Sequence, residues 1–302
     1  MDGFSVGAVR VRRVEEWQDE FTPPEYLFDR FDAAAFDAHL AEFEPDYVRN
    51  GHVYGFLQSW LIEAGGKRIL YDTGAGNDKD RPAIPIFGNL SSDFLGHLRS
   101  AGAEPGDIDL VICSHLHIDH FGWNTRKDGG AWVPTFPNAR YLLPAIDRDF
   151  WDPADEARYA QARGAEVNRN VFEDSVQPIL DAGLAVLVGD GFDVAAGITL
   201  HAAPGHTPGH LFLRVESEGE VALFVGDIMH HPIQVHRPDR NSVYCEDPDQ
   251  AARTRHRVLN LAADQHARVV PAHFGGVHSV FVERTADGFR PIYGDITASA
   301  LG

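Results

Sequence analysis

Residues 114–123 read SHLHIDHFGW. Three histidines and one aspartate, His115, His117, Asp119 and His120, stand within six positions at spacings of two, two and one. In an extended segment the side chains at i and i+2 point the same way, so His115 and His117 face one direction while Asp119 and His120 must turn to another. One short loop can therefore supply ligands to two neighbouring metal positions.

Three further stretches place metal-ligand side chains directly after apolar, strand-like runs. His206 and His210 follow ITLHAAP in the stretch GHTPGH, Asp227 follows VALFVG, and His273 follows ARVVPA. Imidazole nitrogens and carboxylate oxygens are ligands for zinc and similar divalent ions. A carboxylate such as Asp227 can bridge two cations, which lie about 3.5–4 Å apart in two-metal sites. The pattern therefore predicts a two-metal site built from loops at strand ends.

A purely structural role for the histidine cluster is a poor alternative. A chance H-x-H-x-D-H match in a chain of this composition has odds on the order of one in a few hundred. Structural zinc sites favour closed, cysteine-rich tetrahedra, and this chain has two cysteines, Cys113 and Cys245. Isolated histidines elsewhere are expected to be surface residues or hydrogen-bonded core residues: His201, His230, His231, His236 and His278.

Composition and charge limit the class of protein. The 302 residues are 44% hydrophobic and 24% charged, which is typical of a soluble globular protein. No run of about 18 apolar residues is present, the start MDGFSVGAVRVRR does not resemble a signal peptide, and two cysteines cannot form a disulfide framework. We therefore expect a cytoplasmic protein. A net charge of −19 repels phosphate backbones and anionic lipids, which predicts no nucleic-acid or membrane partner.

The order of apolar runs predicts an α/β fold. Residues 1–50 read as an N-terminal arm, in which helical spacing predicts one or two short helices over 25–43. These helices either cover the core or serve as a lid or a homodimer contact. Beyond the arm, a hairpin is predicted to turn at Gly65-Gly66, a helix over 248–264, and an irregular tail. Strand-rich halves with attached helices indicate two sheets packed face to face with helices outside.

Four motifs in order, SHLHIDHFGWN, APGHTPGHL, FVGDIMHHP and PAHF, resemble the successive metal motifs of the metallo-β-lactamase superfamily. Asp72 in YDTG resembles the early aspartate motif of that superfamily, and the resemblance covers roughly residues 53–275. It implies that residues 51–302 form a catalytic domain with the αβ/βα four-layer sandwich of the metallo-β-lactamase fold. A dinuclear site would lie at one edge of that sandwich.

The resemblance also implies a ligand set for two divalent ions, with Zn²⁺ as the expected metal. Outer groups next to the ligands would orient the ligating imidazoles through their second ring nitrogen. Carried over by position, His115, His117 and His206 would hold one ion, Asp119, His120 and His273 the other, Asp227 would bridge them, and Asp72 and His210 would be the outer groups.

Hydrolysis by a hydroxide that bridges the two ions is the chemistry that the resemblance implies. The chain is most similar to the branch that contains quorum-quenching N-acyl homoserine lactonases and methyl parathion hydrolase-like enzymes, on its long arm, GDIMHHPIQ (226–234) and FVERTADGFRPIYGD (281–295). We therefore expect a small-molecule lactone or a related carboxylic ester as substrate, with Asp119 as a catalytic residue. Many of these lactonases have a tyrosine where this chain has His230, a second candidate catalytic residue that could donate a hydrogen bond.

Aromatic residues near the motifs are candidates for an apolar wall of the substrate pocket. The alternative is that they are ordinary packing residues of the core. The candidates are Phe87, Phe121 and Trp123, of which Trp123 lies just beyond the cluster.

Other functions on the same motifs stay open. A phosphotriesterase acting on organophosphates is the main alternative. A glyoxalase II-type thioesterase would bring a basic glutathione-binding region after His273, and a di-iron redox enzyme would carry a glutamate at the position of His117. A nucleic-acid hydrolase would need a basic groove, which a net charge of −19 disfavours.

Overall fold

The computed structural model describes residues 3–294, and residues 1–2 and 295–302 lie outside that range. The predicted catalytic segment 51–302 therefore extends past the described residues, and Asp295 of the closing motif lies beyond them. The strands are β1 (Gly3–Val6), β2 (Val9–Thr22), β3 (Val48–Arg49), β4 (His52–Ala64), β5 (Lys67–Tyr71), β6 (Leu110–Ile112), β7 (Thr125–Asp128), β8 (Ala131–Pro134), β9 (Arg140–Pro144), β10 (Ala185–Val188), β11 (Phe192–Ala195), β12 (Ile198–Ala202), β13 (Leu211–Ser217), β14 (Glu220–Gly226), β15 (Arg268–Pro271), β16 (Phe281–Thr285) and β17 (Gly288–Ile292).

Most of the α-helices are short, and the longest lies between strands β14 and β15. A π-helical turn, Phe172–Val176, leads into the seventh helix. The helices are α1 (Pro24–Leu27), α2 (Ala33–Asp37), α3 (Leu40–Phe43), α4 (Phe94–Ser100), α5 (Ala145–Phe150), α6 (Glu156–Tyr159), α7 (Gln177–Asp181), α8 (Ile233–His236) and α9 (Pro248–Gln265). Across residues 3–294, no helix combines the length and the apolar character needed to cross a membrane.

Two sheets make up the frame of the described chain. Eight strands form the larger sheet in the order β1-β2-β4-β5-β6-β9-β10, with β3 paired to β4, and five form the smaller sheet in the order β11 to β15. Strands β5, β6, β9 and β10 run parallel, as do β14 and β15. Because parallel strands end at a common edge, the loops that follow them are brought together there.

Alternation of side chains along the strands places a core between the two sheets. In the smaller sheet Leu213 and Phe224 face the larger sheet, whereas their neighbours Phe212 and Leu223 face outward. The Tyr71 hydroxyl of the larger sheet donates to the Phe224 carbonyl across this layer at 2.9 Å. A buried apolar layer and this hydrogen bond therefore hold the two sheets together.

Helices cover the outer faces of both sheets. Phe94 and Leu98 of α4 belong to the core on the outer face of the larger sheet. Val258 and Leu259 of α9 pack with the outward residues of the smaller sheet. The α/β, four-layer αβ/βα sandwich predicted from the sequence is confirmed.

The predicted hairpin and long helix are present. Strands β4 and β5 pair up to Ala64 and Lys67, with Gly65 and Gly66 at positive φ in the turn. Helix α9 begins after Asp247, whose side chain accepts from the Gln250 N–H at 2.9 Å.

Two parts of the chain differ from the expectation. Residues 9–22 form β2, a long strand of the larger sheet paired with β4, because Val9, Val11 and Val14 alternate with charged residues and bury their side chains. Three short helices, α1 to α3, occupy the segment predicted to be helical. The tail, predicted to be irregular, contains the β16–β17 hairpin. The lid or dimer role of residues 1–50 stays a prediction.

We expect truncation of a side chain between the sheets to lower the free energy of unfolding strongly. Leu213→Ala removes a fully buried side chain and should cost about 2–5 kcal/mol, since the surrounding sheets cannot close the cavity. The matched control, Leu187→Ala, truncates a leucine that is 43% exposed and should cost less than about 0.5 kcal/mol. Chemical denaturation measures both, and equal losses would contradict the inter-sheet core.

Candidate metal centre

The predicted ligands come together at one edge of the sandwich, where strands end. This follows from the parallel course of β5 and β6 in one sheet and of β12, β14 and β15 in the other, which aims their carboxyl ends the same way. Asp72 follows β5, the cluster of His115, His117, Asp119 and His120 follows β6, His206 and His210 follow β12, Asp227 follows β14, and His273 follows β15.

One group of donor atoms surrounds one oxygen of the Asp227 carboxylate. Nε2 of His206 lies 3.3 Å and Nε2 of His115 lies 3.8 Å from Asp227 Oδ2. Nδ1 of His117 lies 2.9 Å from His206 Nε2. These four residues are buried, and their ligand atoms all lie within 4.8 Å of one another.

A second group surrounds the other oxygen of the same carboxylate. Nε2 of His273 lies 3.0 Å and Nε2 of His120 lies 3.3 Å from Asp227 Oδ1. Asp119 places Oδ1 3.6 Å from His120 Nε2 and Oδ2 3.5 Å from His273 Nε2. Asp227 thus presents one oxygen to each group, which is the arrangement a bridging carboxylate needs.

The donor set fits divalent cations. Nε2 of His115, Nε2 of His120 and Oδ1 of Asp227 are buried, yet they make no hydrogen bond of good geometry to any residue in the described range 3–294. A buried polar atom without a partner costs about 1–3 kcal/mol. Nitrogen and carboxylate oxygen are suitable donors for Zn²⁺, so cations between these atoms would satisfy them.

Electrostatics keeps His115, His117 and His206 neutral and the Asp227 carboxylate ionised. Burial opposes a charge on His120 and His273, yet Asp227 and Asp119 raise the pKa of His120 well above its ordinary value and that of His273 to about 9. Burial lowers the pKa of His115 and His117 well below the ordinary histidine value and that of His206 to about 4. Burial alone would raise the pKa of Asp227, but His120, His273 and His230 hold it well below the usual range. Neutral imidazole and ionised carboxylate are the forms that bind metals.

Hydrogen bonds from outside the cluster orient the ligand rings. Asp72 accepts from Nδ1 of His120 at 3.0 Å and from the Ser114 N–H at 2.7 Å, and it adopts a positive φ of 54°. Nδ1 of His273 contacts the Phe56 carbonyl at 2.8 Å. Because Nδ1 of each ring is occupied, its Nε2 faces Asp227. Asp72 hydrogen-bonds to the ring of a predicted ligand, which is where an outer group is expected to lie.

His210, the other predicted outer group, hydrogen-bonds to Asp227 rather than to a ligand ring. Its Nε2 accepts from the Asp227 backbone N–H at 3.2 Å, and its ring stacks on His115 with centroids 4.8 Å apart. Gly226 has a positive φ of 50°, and a Cβ there would come within 2.9 Å of His210 Nε2. A glycine at position 226 therefore lets this histidine approach the strand end.

Asp147 supports the site, although sequence reasoning missed it. Its fully buried carboxylate accepts from the Leu116 N–H at 2.9 Å and from the Thr207 hydroxyl at 2.7 Å. Burial raises the pKa of Asp147 to about 6, although these hydrogen bonds act to lower it. Asp147 thereby ties the cluster loop to the GHTPGH loop. The signal was available, because Asp147 follows β9 at the same sheet edge.

Glu16 was also missed, and no local motif marks it. It lies in β2 and accepts from the Ala75 N–H at 2.6 Å, the Gly76 N–H at 2.8 Å and the Trp123 indole N–H at 2.7 Å. Burial raises its pKa to about 7. This carboxylate holds the loop after Asp72 against the loop after the cluster.

An apolar cavity opens onto the donor cluster. Trp17, Phe21 and Leu27 of the N-terminal segment form part of its wall. The full lining is Trp17, Phe21, Leu27, Val53, Gly55, Phe56, Leu57, Ile84, Phe87, His117, Ile118, Asp119, Val167, His206, Asp227, His230, Tyr244 and His273.

The predicted pocket aromatics are divided by the structure. Phe87 lines the cavity, but Phe121 and Trp123 do not. Trp123 stacks on Phe94 with ring centroids 5.2 Å apart and donates its indole N–H to Glu16. Phe121 is fully buried in the core under the larger sheet. The substrate contact predicted for Trp123 and Phe121 is corrected to a packing role, since their rings point into the core.

We expect Asp227→Ala to lower the metal content of the purified protein, because the variant removes an oxygen from each donor group. Elemental analysis after dialysis measures the bound zinc per chain. Asp193→Ala, which changes an exposed aspartate on β11, is the control and should keep the wild-type content. Undiminished zinc in folded Asp227→Ala protein would contradict a bridging role.

Comparisons with known sequences agree with the motifs. The model of a family described as the Metallo-beta-lactamase superfamily matches residues 55–273. An N-acyl homoserine lactonase of Bacillus sp. is 33% identical over 180 residues, which are 55% of this chain and 61% of the relative. The N-acyl homoserine lactonase AiiB of Agrobacterium fabrum is 27% identical over 253 residues, 77% of this chain and 84% of the relative. The chain thus spans about three fifths of the Bacillus relative.

Solved structures share the fold over nearly the whole chain. A hydrolase, AbOPH, described as in the beta lactamase superfamily, superposes with a TM-score of 0.82 at 23% identity, covering 98% of this chain and 97% of that one. AidC, described as a dizinc quorum-quenching lactonase in complex with a product, superposes with a TM-score of 0.77 at 23% identity and the same coverage. The family model matches the strand-end loops that carry the His and Asp side chains of this site. This chain therefore belongs to the metallo-β-lactamase superfamily.

Proposed function

We propose that this chain is a metal-dependent hydrolase that opens a lactone or cleaves a related neutral carboxylic ester. The observation that carries the proposal is the pair of donor groups sharing Asp227 at the floor of an apolar cavity. The relatives named N-acyl homoserine lactonase support a lactone substrate. The neighbour described as a dizinc lactonase supports Zn²⁺ as the metal.

The residues that would hold the two ions are those of the two donor groups. When bound, two such ions lower the pKa of water toward neutrality and withdraw electron density from a carbonyl oxygen. His115, His117 and His206 would hold one ion and Asp119, His120 and His273 the other, with Asp227 between them.

Asp119 is the candidate for proton transfer. Its carboxylate lines the cavity and stands between His120 and His273. A carboxylate within hydrogen-bond reach of an attacking water and of the departing alcohol can accept a proton from the first and return it to the second. Among the described residues that line the cavity, the other carboxylate is that of Asp227. Imidazoles enclose Asp227, so Asp119 is the carboxylate available for proton transfer.

His230 is the candidate for orienting the substrate. Its ring lines the cavity, its Nε2 lies 3.1 Å from Asp227 Oδ2, and it stacks near His273 with centroids 5.6 Å apart. Its Nδ1 makes no hydrogen bond to a residue between positions 3 and 294. A ring nitrogen at this position can hydrogen-bond to an oxygen of a bound ester, which is the role of a tyrosine in similar lactonases.

The charge of the cavity wall limits the substrate class. Among the described residues that line it there is no lysine or arginine, and most are apolar. Such a wall favours an uncharged substrate with an apolar acyl or aryl group. It disfavours a phosphate monoester or an anionic glutathione thioester, because the wall adds no lysine or arginine to the two ions to pair with the extra negative charges. A neutral phosphotriester fits the same wall and is the second candidate.

A substrate panel tests the proposal on zinc-loaded protein. We expect turnover of N-acyl lactones and neutral aryl esters, with kcat/KM rising with acyl length while the chain still fits the cavity, and no turnover of aryl phosphate monoesters. Release of acid or of the aryl alcohol is measured. Faster turnover of phosphotriesters than of every lactone would favour the second candidate. No turnover by protein that carries its metal would reject the hydrolase.

We expect His230→Ala to lower kcat by about 10²-fold, the usual effect of losing one hydrogen bond to a reacting oxygen. The zinc content should stay unchanged, because His230 belongs to neither proposed ligand set. The control is His201→Ala, since His201 lies on β12 and contacts the Thr199 hydroxyl away from the cavity. Unaltered kcat in His230→Ala protein would remove this residue from the mechanism.

A further inference from the structure

A second cluster of metal-type donors lies outside the cavity and its ligands. His39 precedes α3, Glu42 lies within it, and His236 ends α8. The Glu42 carboxylate lies 3.3 Å from His39 Nδ1 and 2.9 Å from His236 Nε2. Two segments far apart in sequence thus direct two imidazole nitrogens at one carboxylate.

The distances among these donors suit a small divalent ion. Bonds of about 2.0–2.2 Å to a tetrahedral Zn²⁺ place ligand atoms about 3.3–3.6 Å apart. His39 Nδ1 lies 3.3 Å from Glu42 Oε2, which is within this range. His236 Nε2 lies 2.9–3.1 Å from Glu42, slightly closer than this range, so the ring would have to move outward to admit the ion. Two imidazoles and one carboxylate also form a known zinc ligand set that leaves a position for water.

The carboxylate is held in place and kept ionised. The Tyr293 hydroxyl donates to Glu42 Oε1 at 2.7 Å. Burial opposes the charge, yet hydrogen bonds from His236 and Tyr293 lower the pKa of Glu42 to about 2. An ionised carboxylate fixed by an outer donor is a common feature of metal sites.

The cluster is open to ions from solution and separate from the first centre. The His39 and Glu42 side chains are 33% and 28% exposed, and that of His236 is 12% exposed. None of the three lines the cavity. Phe43 packs against His39 and His236 on one side and against buried His231 on the other.

The stacking of the two imidazoles is compatible with this role. The rings of His39 and His236 lie 3.8 Å apart with planes 23° from parallel, so both nitrogens face the same carboxylate. A partly exposed ring such as that of His39 can rotate at modest cost, since rotamers of exposed side chains interconvert readily. A cation could then replace the hydrogen bonds to Glu42, with the two imidazole nitrogens and the carboxylate as its ligands.

We propose that His39, Glu42 and His236 form a third divalent-cation site, which takes Zn²⁺ and joins the N-terminal helices to the segment after Asp227. A cation there cross-links α3 to α8, which begins three residues after His230. Binding would stabilise the folded chain by mass action. The proposal does not depend on the hydrolase function or on the first centre.

Equilibrium dialysis against buffered Zn²⁺, followed by elemental analysis, tests the site on the full chain. We expect wild-type protein to bind one zinc ion more per chain than either Glu42→Ala or His236→Ala. The wild-type melting temperature should rise with Zn²⁺ by more than that of either variant. The same difference should persist when each is combined with Asp227→Ala, which separates this site from the first centre.

His52→Ala is the matched control. His52 also faces a carboxylate, with its Nδ1 3.8 Å from Glu20, but this pair belongs to none of the candidate metal groups within residues 3–294. This variant should keep the additional zinc. If Glu42→Ala fails to fold, His39→Gln, which changes a partly exposed ring, should show the same loss. Equal zinc content in wild-type, His236→Ala and His39→Gln proteins would overturn the proposal.

Discussion

The site depends on the contacts between the buried carboxylate of Asp227 and the imidazoles around it. One oxygen lies near His115 and His206, and the other lies near His120 and His273. Burying so many polar groups around one anion is costly unless their charges and lone pairs are compensated. The ionised carboxylate and the ring nitrogens without hydrogen-bond partners are compensated when cations lie between them. The atoms that make the metal-free site unfavourable would therefore also bind metal.

The sandwich supplies the rigidity that such a cluster requires. Carboxyl ends of parallel strands deliver the ligand loops to one edge, and buried carboxylates then join loop to loop. Asp72 links Ser114 to His120, Asp147 links Leu116 to Thr207, and Glu16 holds the neighbouring loops through backbone N–H groups. Hydrogen-bond donors satisfy each of these carboxylates, which allows the three side chains to be buried in an apolar setting.

The N-terminal segment adds a supporting carboxylate and part of the cavity wall to the site formed by the later motifs. Strand β2 brings Glu16 under the metal loops and Trp17 to the cavity wall, and the chain that follows adds Phe21 and Leu27. The short helices then meet α8 through the His39, Glu42 and His236 cluster. Segments distant in sequence thereby shape the apolar cavity, whose wall has no lysine or arginine among the described positions that line it.

The sequence by itself determined the chemistry of the site, because ligand types and their placement after apolar runs are local properties. It also indicated the two-sheet sandwich, the Gly65-Gly66 hairpin and α9, which follow from period and turn chemistry. Only the tertiary structure decided which carboxylates support the ligands and which aromatics face the cavity. Trp123 turns inward to stack on Phe94 and donate to Glu16, and Phe121 is buried in the same core. Strand β2 pairs with β4, more than thirty residues later in the chain. Such contacts join residues far apart in the chain, and a local pattern does not specify which distant residue is the partner.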